Sequence, residues 1–236
     1  MFFSRKFQSG LFAIAISTLA APAFAAGSVA WLNPANGSTF PVGTVVTPDG
    51  QANASGTVGG GLDLVLVLDS SGSMGASVPL NIPNTPNPTR AQVQQQAANA
   101  LVNALPAGSN VSVVDFDSSA TVVQGLTPTP NSAINSAING INASGGTNIG
   151  AGIAAADAEL DANGNTANSQ QILVISDGSS TQSIAEAAAA AAAADGYTVN
   201  SVGFPGANTT VLEAVANAGG GTFVNFNNNP QDIINI

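Results

Sequence analysis

The sequence predicts an open, mostly parallel α/β sheet of the doubly wound, Rossmann-like kind, with helices on both faces and one antiparallel edge strand. Three observations lead there. First, "LDLVLVL" (62–68) and the centre of "QQILVISDG" (170–178) are continuous apolar runs, the pattern of strands buried on both faces. Second, strand-like and helix-like patterns alternate from Leu62 to the end of the chain. Third, "NVSVVDFD" (110–117) and "ATVVQGL" (120–126) are separated by two residues, room only for a hairpin, so they pair antiparallel.

Each element follows in order. The first 25 residues have a basic start at Arg5 and Lys6, an apolar stretch from Leu11 to about Ala21, and a small-x-small end at Ala23-Phe24-Ala25. That is the pattern of a secretory signal cut after Ala25, and the apolar stretch is too short to span a bilayer. Residues 26–60 are rich in Gly, Pro, Asn and Thr and read as a linker with one or two short strands, a hairpin around Trp31 and Val45. Trp31 is expected to anchor this segment on the main domain, which spans 61–236. "TRAQVQQQAANALVNAL" (89–105) is a helix whose Thr89 and Gln92 make a capping box. Helices are also expected over 131–141, 148–160, 182–195 and 209–219, and strands over 197–204 and 221–226. The alanine-rich run "EAAAAAAAAD" (186–195) reads as a helix packed closely on the sheet, because alanine is the best helix former.

Composition narrows the chemistry. The 236 residues include no histidine and no cysteine, and thirteen acidic residues face three basic ones. Removal of the signal leaves Arg90 as the only basic residue against those thirteen, a net charge of −12. Such a surface does not attract nucleic acid or anionic lipid. Histidine relays, thiol nucleophiles and lysine Schiff bases are all excluded. Carboxylates, hydroxyls and metal ions remain.

In sheets of this kind ligands bind at the carboxyl ends of the strands. Asp69 ends the first central run, and Ser71 and Ser73 follow at alternate positions, which in an extended loop point the same way. Asp177 ends the second run, and "SGGTN" (144–148) puts Thr147 at a helix start, with Gly145 and Gly146 permitting close backbone approach. Two carboxylates and three hydroxyls suit a hard divalent cation, Mg²⁺ with Mn²⁺ or Ca²⁺ as alternatives.

Asp69-Ser70-Ser71-Gly72-Ser73, then Thr147, then Asp177, resembles the metal-ion-dependent adhesion site of von Willebrand factor type A domains. The resemblance covers about residues 60–236. It implies that Ser71, Ser73 and Thr147 bind the metal directly or through water. Asp69 and Asp177 would anchor it largely through waters and hydroxyls, and a carboxylate from a partner protein would complete the shell. It also implies a closing helix near Pro230-Gln231-Asp232, expected to be cut short because the chain stops at Ile236.

The expectation is therefore an exported, non-enzymatic binding module, extracellular, cell-surface or periplasmic, without membrane insertion in the mature chain. The alternative is a metal-independent structural component of a cell surface or matrix. An EF-hand fails, because the sixth and twelfth positions from Asp69 are Met74 and Leu80. The same count from Asp161 meets Thr166 and Ile172, so 161–165 reads as a polar turn. "GAGIAA" (150–155) matches a dinucleotide fingerprint but lies inside a helix, where close packing explains it. A phosphatase using Asp69 as nucleophile would need a carboxylate at Ser71 and a lysine the mature chain lacks. Asp115 and Asp117 read as a solvated strand end, and Arg90 as part of the first helix's polar face.

Overall fold

The computed structural model describes residues 26–33, 49–55, 61–78, 87–204 and 206–225. The chain divides into two units, residues 1–58 and 59–236. In the first, β1 (Ala26–Asn33) pairs antiparallel with β2 (Asp49–Ser55), Ala26 opposite Ser55 and Asn33 opposite Asp49. The described part of this segment is thus a pair of short antiparallel strands. In strand β2 only Ala52 and Ala54 alternate with polar residues, too weak a pattern to mark a strand. Val45, the Trp31 side chain, the signal segment and the closing helix lie outside what is described.

Among its described residues the second unit is a six-stranded sheet flanked by helices. Its strands are β3 (Leu62–Asp69), β4 (Asn110–Phe116), β5 (Ala120–Pro128), β6 (Ser169–Ser176), β7 (Thr198–Gly203) and β8 (Gly220–Asn225), in the spatial order β5-β4-β3-β6-β7-β8. All neighbours are parallel except β4 and β5, which pair antiparallel at the edge. The predicted fold class is the observed one.

The helices are α1 (Arg90–Ala104), α2 (Ser132–Asn139), α3 (Ile149–Asn163), α4 (Gln182–Ala194) and α5 (Thr209–Ala218). Side chains alternate across a strand, so β3 feeds both faces at once. Leu64, Leu66 and Leu68 pack with Val93 and Ala97 of α1 and Ile134 and Ile138 of α2. Val65 and Val67 pack on the other face with Ile149 and Ile153 of α3, Ala185 and Ala189 of α4 and Val211 of α5. Burial on both sides is why the run reads as unbroken apolar sequence.

The capping box at α1 is formed in full: Thr89 Oγ1 accepts the Gln92 N–H at 3.2 Å, and Gln92 Oε1 accepts the Thr89 N–H at 2.9 Å. The alanine run is α4, burying Ala185, Ala189 and Ala192 at helical spacing. Gly152, in the dinucleotide-like string, sits where a Cβ would lie 2.7 Å from Val67 Cγ1 and 3.1 Å from the Phe116 ring. Close packing of α3 on the sheet is what that glycine permits.

Among the described residues no helix is long and apolar enough to cross a membrane.

Candidate metal centre

Strands β3 and β6 are neighbours in register, Leu68 opposite Ile175, so their carboxyl ends deliver Asp69 and Asp177 to the same sheet edge. Asp69 is fully buried. Its Oδ1 accepts the Ser71 N–H at 2.7 Å, and its Oδ2 accepts the Ser176 hydroxyl at 2.5 Å. Ser176 Oγ in turn accepts the Gly178 N–H at 2.9 Å, tying the "SDG" turn to the first strand. Burial pushes the Asp69 carboxyl above its usual range, partly offset by the bonds from Ser176 and Ser71 and reinforced by the nearby Asp177 charge.

The stretch after Asp69 is not extended. Gly72–Gly75 form a short 3-10 turn, closed by Met74 N–H to the Ser71 carbonyl at 3.0 Å and Ala76 N–H to the Ser73 carbonyl at 3.1 Å, with Met74 buried beneath. The Asp69–Ser71 bond folds the chain back and starts that turn. The hydroxyls nonetheless converge: Ser71 Oγ and Ser73 Oγ are 3.0 Å apart, and the Ser71 side chain makes no cap to the turn.

Thr147 lies one residue before the true N-cap of α3, Asn148, whose side chain accepts the Ala151 N–H at 3.1 Å. Its loop is pinned to the Ser71–Ser73 turn by the backbone. Gly72 N–H donates to the Gly145 carbonyl at 3.1 Å, and Ser144 N–H donates to the Ser70 carbonyl at 2.6 Å. Gly145 has φ +75°, and a Cβ there would meet Asp117 Oδ2 at 2.5 Å. The close approach expected of this glycine is present. Thr147 itself is half-buried, as is Ser73.

Three further residues belong to the edge. Gln94 of α1 is fully buried and clamps the end of β3: its Oε1 accepts the Asp69 N–H at 3.2 Å and its Nε2 donates to the Asp69 carbonyl at 3.0 Å. Ser176 holds Asp69 as described. Arg90 is not simply on the polar face of its helix. Its Nη1 donates to Asp177 Oδ2 at 2.7 Å, with the Asp177 side chain 2% exposed and that of Arg90 16%. Asp177 Oδ1 also accepts the Ser179 N–H at 3.3 Å. Of these three, only Ser176 had a local sequence signal, as the hydroxyl directly before Asp177.

Beside this edge a polar cavity of about 350 Å³ is lined by Ser70, Asp115, Asp117, Thr121, Asn142 and Ser144. Asp117 lies in a turn, its Oδ1 accepting the Ser119 N–H at 2.9 Å, and these bonds hold its carboxyl below the usual range. Asp115 is half-buried, and its Oδ1 is buried with no hydrogen-bond partner among the described residues. It alternates onto the same face of β4 as Val113 and lines the cavity.

At the opposite edge, Asp157, Asp161 and Asp195 bring carboxylate oxygens within 4.8 Å of one another. Burial first, then the Asp195 and Asp161 charges, push the Asp157 carboxyl up. The Tyr197 hydroxyl donates to Asp161 Oδ1 at 2.6 Å, and its pKa is pushed up to about 12 by burial and by that bond. The expected polar turn at 161–165 is in part the last turn of α3, which runs to Asn163.

The edge that carries Asp69, Ser71, Ser73 and Asp177 can be set beside known proteins. The family model of the von Willebrand factor type A domain matches residues 64–179. No curated protein sequence matches the chain. Solved structures with the same fold include an aerotolerance-related membrane protein from Bacteroides fragilis NCTC 9343, at 21% identity over 75% of this chain and 100% of that one, TM-score 0.61. Another is proximal thread matrix protein 1 of the mussel byssus, described with a zinc-occupied MIDAS motif. It is 20% identical over 75% of this chain and 45% of that one, TM-score 0.57. A third is the vWF domain of the type V pili tip protein Mfa5 from Porphyromonas gingivalis, at 13% identity over 76% of this chain and 94% of that one, TM-score 0.60. Residues 64–179 thus match the von Willebrand factor type A domain, and the sheet and helices built on them have the fold of that family.

Proposed function

We propose that this chain is an exported, non-enzymatic binding module that holds a divalent cation at the tip of β3 and uses it for adhesion or protein recognition. The observation that carries the reading is the convergence at one sheet edge of buried Asp69, the paired Ser71 and Ser73 hydroxyls, and Asp177. The donor set fits a hard cation: every group is oxygen, and burial leaves Asp69 in want of a counter-charge. Ser71, Ser73 and Thr147 would hold the ion directly or through water, with Asp69 and Asp177 fixing it from behind. When bound, the ion supplies a positive face that neutral hydroxyls leave largely uncompensated, and that face attracts a carboxylate of a protein partner. The protein's own part is to hold those oxygens in place, through Gln94 on the Asp69 backbone and Ser176 on its side chain. Mg²⁺ is the proposed ion, with Mn²⁺ or Ca²⁺ able to occupy the same oxygen set.

The signal-like N-terminus supports export, and the likeness to a membrane-associated protein and to a pilus tip domain agrees with a surface location. The zinc-occupied site of the mussel protein supports the metal reading.

Thr147→Ala and Asp177→Ala are expected to abolish Mg²⁺-dependent binding to an immobilised polyglutamate surface in the folded protein, Asp177→Ala with a lower melting temperature because its pair with Arg90 is lost. Loss of a cap costs about 0.5–2 kcal/mol at most, and Thr147 is not the cap. Circular dichroism and surface capture, with Mg²⁺ and with EDTA, check this. Folded variants that bind as wild type does would refute the adhesion mechanism.

A further inference from the structure

Arg90 is the only basic residue after Lys6 in a chain with thirteen acidic ones, and it stands at the first position of α1. A cation there is opposed by the helix dipole, so the helix gains nothing from its charge. The chain holds it there firmly. Its backbone N–H donates to the Ala76 carbonyl at 2.9 Å, directly behind the Ser71–Ser73 turn, and the capping box fixes the residue before it. On its far side Nη2 lies against the β7–α5 connection, where a Cβ on Gly206 would be 3.2 Å away. Between these supports Nη1 reaches Asp177 Oδ2 at 2.7 Å, in a place where Asp177 is almost wholly shielded from water. Shielding makes the pair strong and poorly screened by salt.

We propose that Arg90 is a built-in competitor of the metal: it neutralises Asp177 in the metal-free protein and holds down the affinity of the site for divalent cations. The inference rests on the metal-binding reading above. A guanidinium bonded to one of the carboxylates that fix the ion repels a second cation over a distance of a few ångströms, and loading requires that bond to be shared or given up. A charge-assisted hydrogen bond corresponds to about ten- to a hundredfold in an equilibrium constant. Metal loading is thereby coupled to the start of α1, since the residue that yields is the helix's first.

The experiment is a calorimetric titration of the purified chain with Mg²⁺ and Mn²⁺, wild type beside R90Q. R90Q is expected to bind either ion at least about tenfold more tightly, and to melt at a lower temperature than wild type without metal. Equal or weaker binding by R90Q would overturn the inference while leaving the metal site standing. Binding by R90Q alone would support it in its strongest form. Binding by neither protein would overturn both this inference and the reading beneath it. A second measurement needs no folded variant. Arg5 and Arg90 are the chain's only arginines, so their guanidinium nitrogen resonances in wild type are few and separable. Mg²⁺ is expected to shift the Arg90 signal and speed its hydrogen exchange. A signal unmoved at saturating Mg²⁺ would overturn the competition.

Discussion

Asp69→Asn is expected to weaken Mg²⁺ binding about ten- to a hundredfold, while leaving the metal-free protein close to wild type in stability. The two halves of this expectation come from the same burial. Asp69 is fully buried, and desolvation raises its carboxyl, so the folded state holds the proton more tightly than the unfolded chain does. A group shifted upward contributes most below its unfolded value and loses that contribution as pH rises through the folded one. Once pH passes the folded value, the ionised Asp69 therefore works against the metal-free fold. Asparagine removes that charge and keeps one bond, its carbonyl accepting the Ser71 N–H; its amide can meet Ser176 Oγ only as a donor, which reverses that bond and takes the acceptor from the Ser176 hydroxyl proton. What it cannot do is balance a divalent cation. Thermal melting without metal and calorimetry with Mg²⁺ read the two effects separately. A variant that melts far below wild type, or binds Mg²⁺ equally well, would show that Asp69 is a structural residue only.

Asp63→Ala is expected to do the reverse, costing about 3–5 kcal/mol of stability with Mg²⁺ binding unchanged below the melting transition. Asp63 sits at the opposite end of β3 and is fully buried. Its Oδ1 accepts the Asn110 Nδ2 at 2.8 Å and the Asn168 Nδ2 at 2.6 Å, and its Oδ2 accepts the Asn165 N–H at 2.6 Å. One carboxylate thus joins three strands' worth of chain: the start of β3, the start of β4 and the loop into β6. Alanine leaves three partly buried donors without an acceptor, each costing about 1–3 kcal/mol less whatever water recovers. For a domain of this size the melting temperature should fall by about 6–20 °C. Six residues of strand, about 20 Å, separate Asp63 from Asp69, so the metal edge should not feel the change until the fold is lost. A loss below about 1 kcal/mol would mean that water replaces the carboxylate at these donors.

Asp63 also shows where sequence reading stops. In "LDLVLVL" it looks like a single interruption of an apolar run, and its partners Asn165 and Asn168 lie more than a hundred residues away. The run was still legible as a strand because its other positions are apolar on both faces. The helix start at Thr89 was legible because a capping box is complete within four residues. The arrival of Asp69 and Asp177 at one edge was legible because neighbouring parallel strands deliver their ends together. Local geometry was not: the Asp69–Ser71 bond turns the chain into a 3-10 turn where spacing alone suggested an extended loop. Nor was Arg90, whose contact with Asp177 spans 87 residues and whose position at a helix start looks like any solvated charge. Gln94 is one of three consecutive glutamines, and only packing decides which of them turns inward to Asp69.

The most direct test of the central claim is the melting temperature of the wild-type chain in EDTA and in millimolar Mg²⁺, with Asp69→Asn measured alongside. An ion that binds only the native state adds about 2.7 kcal/mol at a free concentration about a hundredfold above its Kd. That corresponds to a rise of about 5–10 °C in this size range. The account predicts that rise in wild type and at most about half of it in Asp69→Asn at the same ion concentration. A wild-type melting temperature indifferent to Mg²⁺, Mn²⁺ and EDTA, or an equal rise in the variant, would contradict a metal centre at the tip of β3.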